Sequence, residues 1–138
     1  MIRYMLDTNV CIGVINGNPP VLRDRLLSIP PSEVAISQIV RYELEFGVCN
    51  SRQPQRNRDN LTHFLKYVQV LDWSDGQSIE AAEVRCALGR KGQPIGPYDT
   101  LIAAHARSLN VILVTHNIRE FGRVDGLQVE DWELPLVG

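Results

Sequence analysis

The feature that most limits what this chain can fold into is a recurring order: a short apolar run, then a segment with helical spacing. Ile2–Leu6, Glu33–Ile36, Val68–Leu71 and Val111–Val114 are runs of strand length. Val111-Ile112-Leu113-Val114 suits a strand buried on both faces. Leu127-Gln128-Val129 alternates and predicts a short edge strand. Helical patterns lie between these runs. Val10, Val14 and Ile15 mark the first, and Gln38–Cys49 carries a stripe of Ile39, Val40, Leu44, Phe46 and Val48. Residues 57–67 carry Leu61, Phe64 and Leu65, and residues 76–90 carry Ile79, Ala82, Val84, Ala87 and Leu88. Pro97 opens another helix, with Leu101, Ile102, His105 and Leu109 at helical spacing. Asn50–Asn57, polar and holding Pro54, reads as the one linker-like stretch. This alternation predicts an α/β fold: a four- to five-stranded parallel sheet flanked by helices on both faces. A length of 138 residues suits a single domain spanning 1–138.

Composition removes several function classes. No apolar run approaches the roughly 20 residues of a membrane helix, and Asp7 comes too early for a signal peptide. A cytoplasmic protein is expected. Cys11, Cys49 and Cys86 form no CxxC pair, which predicts reduced, partly buried thiols. His63, His105 and His116 lack metal-site spacing. The formal net charge of −2 argues against a nucleic-acid partner until four candidate site acids are set aside. Without Asp7, Glu43, Asp99 and Glu120 the charge becomes +2.

Each of those acids has an ordinary explanation as well as a chemical one. In an open parallel sheet, functional groups gather beyond the carboxyl ends of strands, where Asp7 stands with Thr8 and Asn9. Asp7 would equally serve as a helix N-cap. Glu43 follows Val40 by three and precedes Gly47 by four, which places it on the inward side of its helix. A carboxylate there needs a partner or a cation. Glu45, four after Arg41, reads as a solvated ion pair. Asp99 lies in the first turn after Pro97, where the helix dipole favours an acid. Asn117 and Glu120 have capping-box spacing and would also stand at the mouth of a site.

Taken together, Leu6-Asp7-Thr8-Asn9, Glu43, the stretch Pro94–Ala106 and Thr115-His116-Asn117-Ile118-Arg119-Glu120-Phe121 resemble the PIN-domain endoribonuclease toxins of the VapC type. The ending from Arg123 to Trp132 also looks like that family's C-terminus, so the resemblance spans essentially the whole chain. It implies a PIN-like fold, usually dimeric, Mg²⁺- or Mn²⁺-dependent RNA cleavage, and inhibition by a VapB-type antitoxin. Transfer RNA, cut in the anticodon region, is among the implied substrates. Asp7, Glu43 and Asp99 fall on the family's metal-binding positions. Asn117 stands where many PIN domains have a fourth Asp, and Glu120 is the acid available to replace it.

Clustered carboxylates with oxygen-only donors select Mg²⁺ or Mn²⁺, and a metal-activated water predicts 5′-phosphate and 3′-hydroxyl ends. Thr8, Asn9, Thr115 and Asn117 are candidates to orient the acids. Arg52, Arg56, Arg58, Arg85, Arg90 and Lys91 are candidates for the RNA backbone, though solvated helix faces explain them as well. A haloacid-dehalogenase-type phosphatase wants an Asp two residues after the first, where Asn9 stands. A noncatalytic RNA- or protein-binding module on the same fold is the reading from another class, and Asn117 keeps it open.

Overall fold

The structure is a computed structural model that describes residues 1–135. Its five strands are β1 (Tyr4–Leu6), β2 (Val34–Ser37), β3 (Gln69–Leu71), β4 (Ile112–Val114) and β5 (Val129–Glu130). All pair in parallel, in the order β3-β2-β1-β4-β5. Seven α-helices flank them among the described residues: α1 (Thr8–Asn16), α2 (Pro20–Leu27), α3 (Gln38–Cys49), α4 (Pro54–Phe64), α5 (Asp75–Arg90), α6 (Pro97–Leu109) and α7 (Ile118–Phe121). Successive strand residues point to opposite faces of a sheet. Tyr4, Met5 and Leu6 are all buried, as are Val34, Ala35 and Ile36, so both faces of the sheet's centre are covered. This is the doubly wound arrangement that the alternation predicts.

The expected runs all become strands, trimmed or shifted by one to three residues. Leu127 and Gln128 lie outside β5, which begins at Val129. The linker expectation fails because a proline stands at the first turn of a helix, and a second such helix lies where the spacing predicts none. Pro54 opens α4, so half of the presumed linker is helix. Pro20 opens α2, a further short helix that buries Leu22 and Leu26, four residues apart, on one face. Gly13 is what lets α2 approach α1: a Cβ there would sit 2.5 Å from Leu22 Cδ1 and 3.2 Å from the Asn18 carbonyl oxygen.

Apolar residues at helical spacing are not all core. Phe46, Ile79 and Leu109 are exposed at the outer edges of their stripes. Of the three thiols, Cys11 is fully buried whereas Cys49 and Cys86 are exposed, which corrects the expectation of partial burial. His105 is 1% exposed on the inner face of α6. Its Nδ1 lies 2.8 Å from Ser37 Oγ and its ring meets Trp73 edge-on at 5.5 Å.

At the other end of the sheet, Trp132 is wholly buried. It packs edge-on against Tyr4 at 5.6 Å, lies 5.3 Å from the Arg25 guanidinium, and donates from Nε1 to Glu130 Oε1 at 3.0 Å. Arg25 also pairs with Glu130 at 2.9 Å. One indole thus joins α2, β1 and the segment after β5.

Candidate active site

The chain leaves β1 towards β2 and β3 on one side and returns to β4 on the other. Parallel sheets bind ligands where the winding direction reverses in this way, beyond the carboxyl ends of the adjacent strands. Asp7 follows β1 and Thr115-His116-Asn117 follow β4 at that crevice, stitched together by the Asp7 amide donating to the Val114 carbonyl at 3.1 Å.

Asp7 is 5% exposed and caps α1, its Oδ1 accepting the Val10 amide at 2.8 Å. Capping and site placement coincide in one residue. Burial pushes its carboxyl above the ordinary range, opposed by hydrogen bonds from Thr115 and the Val10 amide, while the charge of Glu43 raises it further. Thr8 Oγ1 donates to Glu43 Oε1 at 2.6 Å, which ties the start of α1 to α3. Glu43 itself lies at the half-buried rim of α3 rather than on its inward side. Asp99 stands in the first turn of α6, and its carboxyl is pushed up to about 6. Burial is the main cause, followed by the charges of Glu120, Asp7 and Glu43. Those charges act on one carboxyl, so the four acids share a neighbourhood.

Asn117 caps α7: Oδ1 accepts from the Glu120 amide at 3.4 Å, and Nδ2 donates to Glu120 Oε2 at 2.9 Å. The Asn117 amide in turn donates to Thr115 Oγ1 at 3.0 Å. Asn9 lines a cleft of about 370 Å³ with Asp7, Val10, His116, Asn117 and Glu133. No ion pair among the described residues reaches Asp7, Glu43, Asp99 or Glu120.

The basic candidates are spread more widely. Arg58 pairs with Glu45, which also takes Arg41 at 2.7 Å, and those two guanidiniums hold the Glu45 carboxyl at about 2. Lys91 pairs with Asp125 at 2.9 Å. Arg52 and Arg56 flank the α3–α4 turn, Arg85 and Arg90 are exposed on α5, and none lines the Asp7 cleft.

The sequence reading missed a second cluster. His116, Asp131 and Glu133 bring one ring nitrogen and two carboxylate oxygens within 4.8 Å of one another. Among the described residues no three of the four acids come that close, as expected of carboxylates that repel with no cation between them. The only sequence signal was an imidazole inside a motif of site residues. Asp131 raises the His116 pKa by hydrogen bond and charge, whereas burial lowers that of His105. An NMR titration of the histidine ring protons should therefore place His105 below and His116 above the ordinary imidazole midpoint. The reverse order would contradict both environments.

Residues 4–127 match the PIN domain family. The chain is 41% identical over 132 residues to the tRNA(fMet)-specific endonuclease VapC of Salmonella typhimurium, covering 96% of this chain and 99% of that protein. It is 37% identical over 132 residues to ribonuclease VapC of Haemophilus influenzae, with the same coverage. The crystal structure of DNA-bound VapBC from Salmonella typhimurium superposes with a TM-score of 0.90 at 41% identity, again covering 96% and 99%. No helix among the described residues is long and apolar enough to cross a membrane. The chain belongs to the PIN-domain family, in its VapC-type branch.

Proposed function

We propose that this chain is a metal-dependent endoribonuclease, the toxin of a toxin–antitoxin pair, acting as one cytoplasmic PIN-like domain. The observation that carries the reading is that Asp7, Glu43, Asp99 and Glu120 share a neighbourhood at the sheet's reversal point, with no ion pair to any of them among the described residues. Those donors fit a hard divalent cation such as Mg²⁺ or Mn²⁺: all are carboxylate oxygens, and burial followed by mutual repulsion lifts Asp99. Asp7, Glu43 and Asp99 would hold it. A divalent ion supplies charge neutralisation and Lewis acidity for phosphodiester hydrolysis.

The chain's own residues set the geometry. The Val10 amide and Thr115 fix Asp7, and the Thr8 hydroxyl fixes Glu43. Asn117 aims Glu120 with its side-chain amide, which supports Glu120 as the acid in place of an Asp at 117. The one Ser–His pair among the described residues, Ser37 with His105, is buried in the core, so water is the attacking group, and the ends formed are 5′-phosphate and 3′-hydroxyl. The Salmonella typhimurium relative, named for tRNA(fMet), supports transfer RNA as substrate, and the solved VapBC complex supports a VapB-type antitoxin as partner of a homodimer.

The test is to incubate the purified chain with initiator transfer RNA and map the product ends. Cleavage should need Mg²⁺ or Mn²⁺, stop with chelator, and be lost in Asp7→Asn. Cyclic phosphate ends, or cleavage indifferent to chelator, would remove this chemistry. Tight RNA binding without any cleavage would favour the noncatalytic module.

A further inference from the structure

The cluster of His116, Asp131 and Glu133 lies beside Asp7 and is used by none of the roles above. Pairing of β4 with β5 sets Val114 opposite Glu130, which carries His116 and Asp131 to adjacent strand ends. His116 Nδ1 lies 2.9 Å from Asp131 Oδ2 and 3.4 Å from Glu133 Oε2. The Asp131 side chain is only 6% exposed, and its Oδ1 accepts the Glu133 amide at 2.9 Å, so this carboxylate is fixed. A carboxylate on Nδ1 selects the tautomer and leaves Nε2 free. His116 lines the cleft that also holds Asp7, Asn9 and Asn117. Asp7 faces it from the end of β1, and Asp131 and Glu133 from the segment after β5. Among the described residues lining this cleft, His116 is the one side chain able to carry positive charge. A polyanion entering beside so many carboxylates needs such a donor.

We propose that His116, braced by Asp131 and Glu133, donates from Nε2 to a non-bridging oxygen of an RNA phosphate beside the linkage being cut. The proposal rests on the nuclease reading of this site. It makes His116 a substrate-contacting residue and Asp131 a positioning residue.

Binding is read on the Asp99→Asn chain, which separates it from cleavage, with the anticodon stem-loop of an initiator transfer RNA as probe. His116→Ala should weaken binding on the order of tenfold, and His116→Gln, which keeps an N–H donor, should recover part of it. The slope of log affinity against log salt should become shallower by about 0.7 in the Ala variant. Stem-loops carrying a single neutral methylphosphonate linkage give the decisive readout. One linkage should cost the His116 chain about tenfold and cost the Ala variant nothing, a coupling that a merely structural role would not produce. Unchanged affinity in His116→Ala, or equal loss at every linkage in both chains, overturns the proposal. So does a Mn²⁺ or Zn²⁺ ion bound through His116 whose loss leaves RNA affinity unaltered. Linkage-specific coupling in a chain that never cuts RNA would leave this contact standing while the nuclease reading fell; cleavage without coupling would do the opposite.

Discussion

Asp99→Asn should do two opposite things: abolish cleavage, by on the order of a thousandfold or more, and make the metal-free protein melt higher. The activity loss follows from removing a full negative charge from the proposed cation ligands. The stability gain follows from sparing a charge that is penalised first by burial and then by the neighbouring carboxylates. In the folded chain the Asp99 carboxyl titrates at about 6, against 3.8 for an ordinary aspartate. Between those values the folded state holds a proton that the unfolded state has released. Stability therefore falls as pH rises through that window, and the loss persists at neutral pH. The difference converts to about 3 kcal/mol at most, and screening of a half-buried group reduces it to about 1–2 kcal/mol. Asn carries no charge and escapes the penalty. With chelator present, the variant should melt roughly 3–8 °C above the parent. Mg²⁺ should then raise the parent more than the variant, closing the gap. A variant that melts lower without metal and still cuts RNA would show that Asp99 is a helix-terminus acid and nothing more.

The second large effect lies far from the chemistry. Trp132→Ala should cost about 3–5 kcal/mol and lower the melting temperature by roughly 10–20 °C. The indole is wholly buried and large, so its removal leaves a cavity that three separate elements border. It also strips Glu130 of one donor and leaves the Arg25–Glu130 pair without the ring beneath it. Trp132→Phe keeps most of the volume and loses the N–H, so it should cost clearly less. Thermal melts of the two variants check the order. If Ala at this position melted within a few degrees of the parent, Trp132 would not be anchoring α2 to the sheet.

The fold was readable because its signals are local. Val111–Val114 needs no partner to look like a buried strand, and Pro97 needs none to look like a helix start. Asp7 and Asn117 were readable twice over, as caps and as site residues, and in the structure Asp7 caps α1 while Asn117 both caps α7 and holds Glu120. What stayed hidden depended on neighbours distant in sequence. Phe46 and Glu43 share a helix whose exposed edge is set by what packs on α3, and helical spacing alone cannot give that edge. The Asp131–His116 contact depends on the register of β4 against β5, which residue spacing does not specify. The commitment of Arg58 to Glu45 was invisible for a similar reason, since only folding sets α4 beside α3.

The register of the central strands carries a consequence for synthesis. Tyr4 on β1 pairs with Val34 on one side but with Ile112 on the other. Asp7 is synthesised well before the crevice wall that faces it, at His116 and Asn117. Chains grow from the N-terminus at a finite rate, and pairings distant in sequence form late. Gathering the four acids therefore waits on the long-range pairing of β1 with β4, and a chain that stops short of β4 cannot form the crevice.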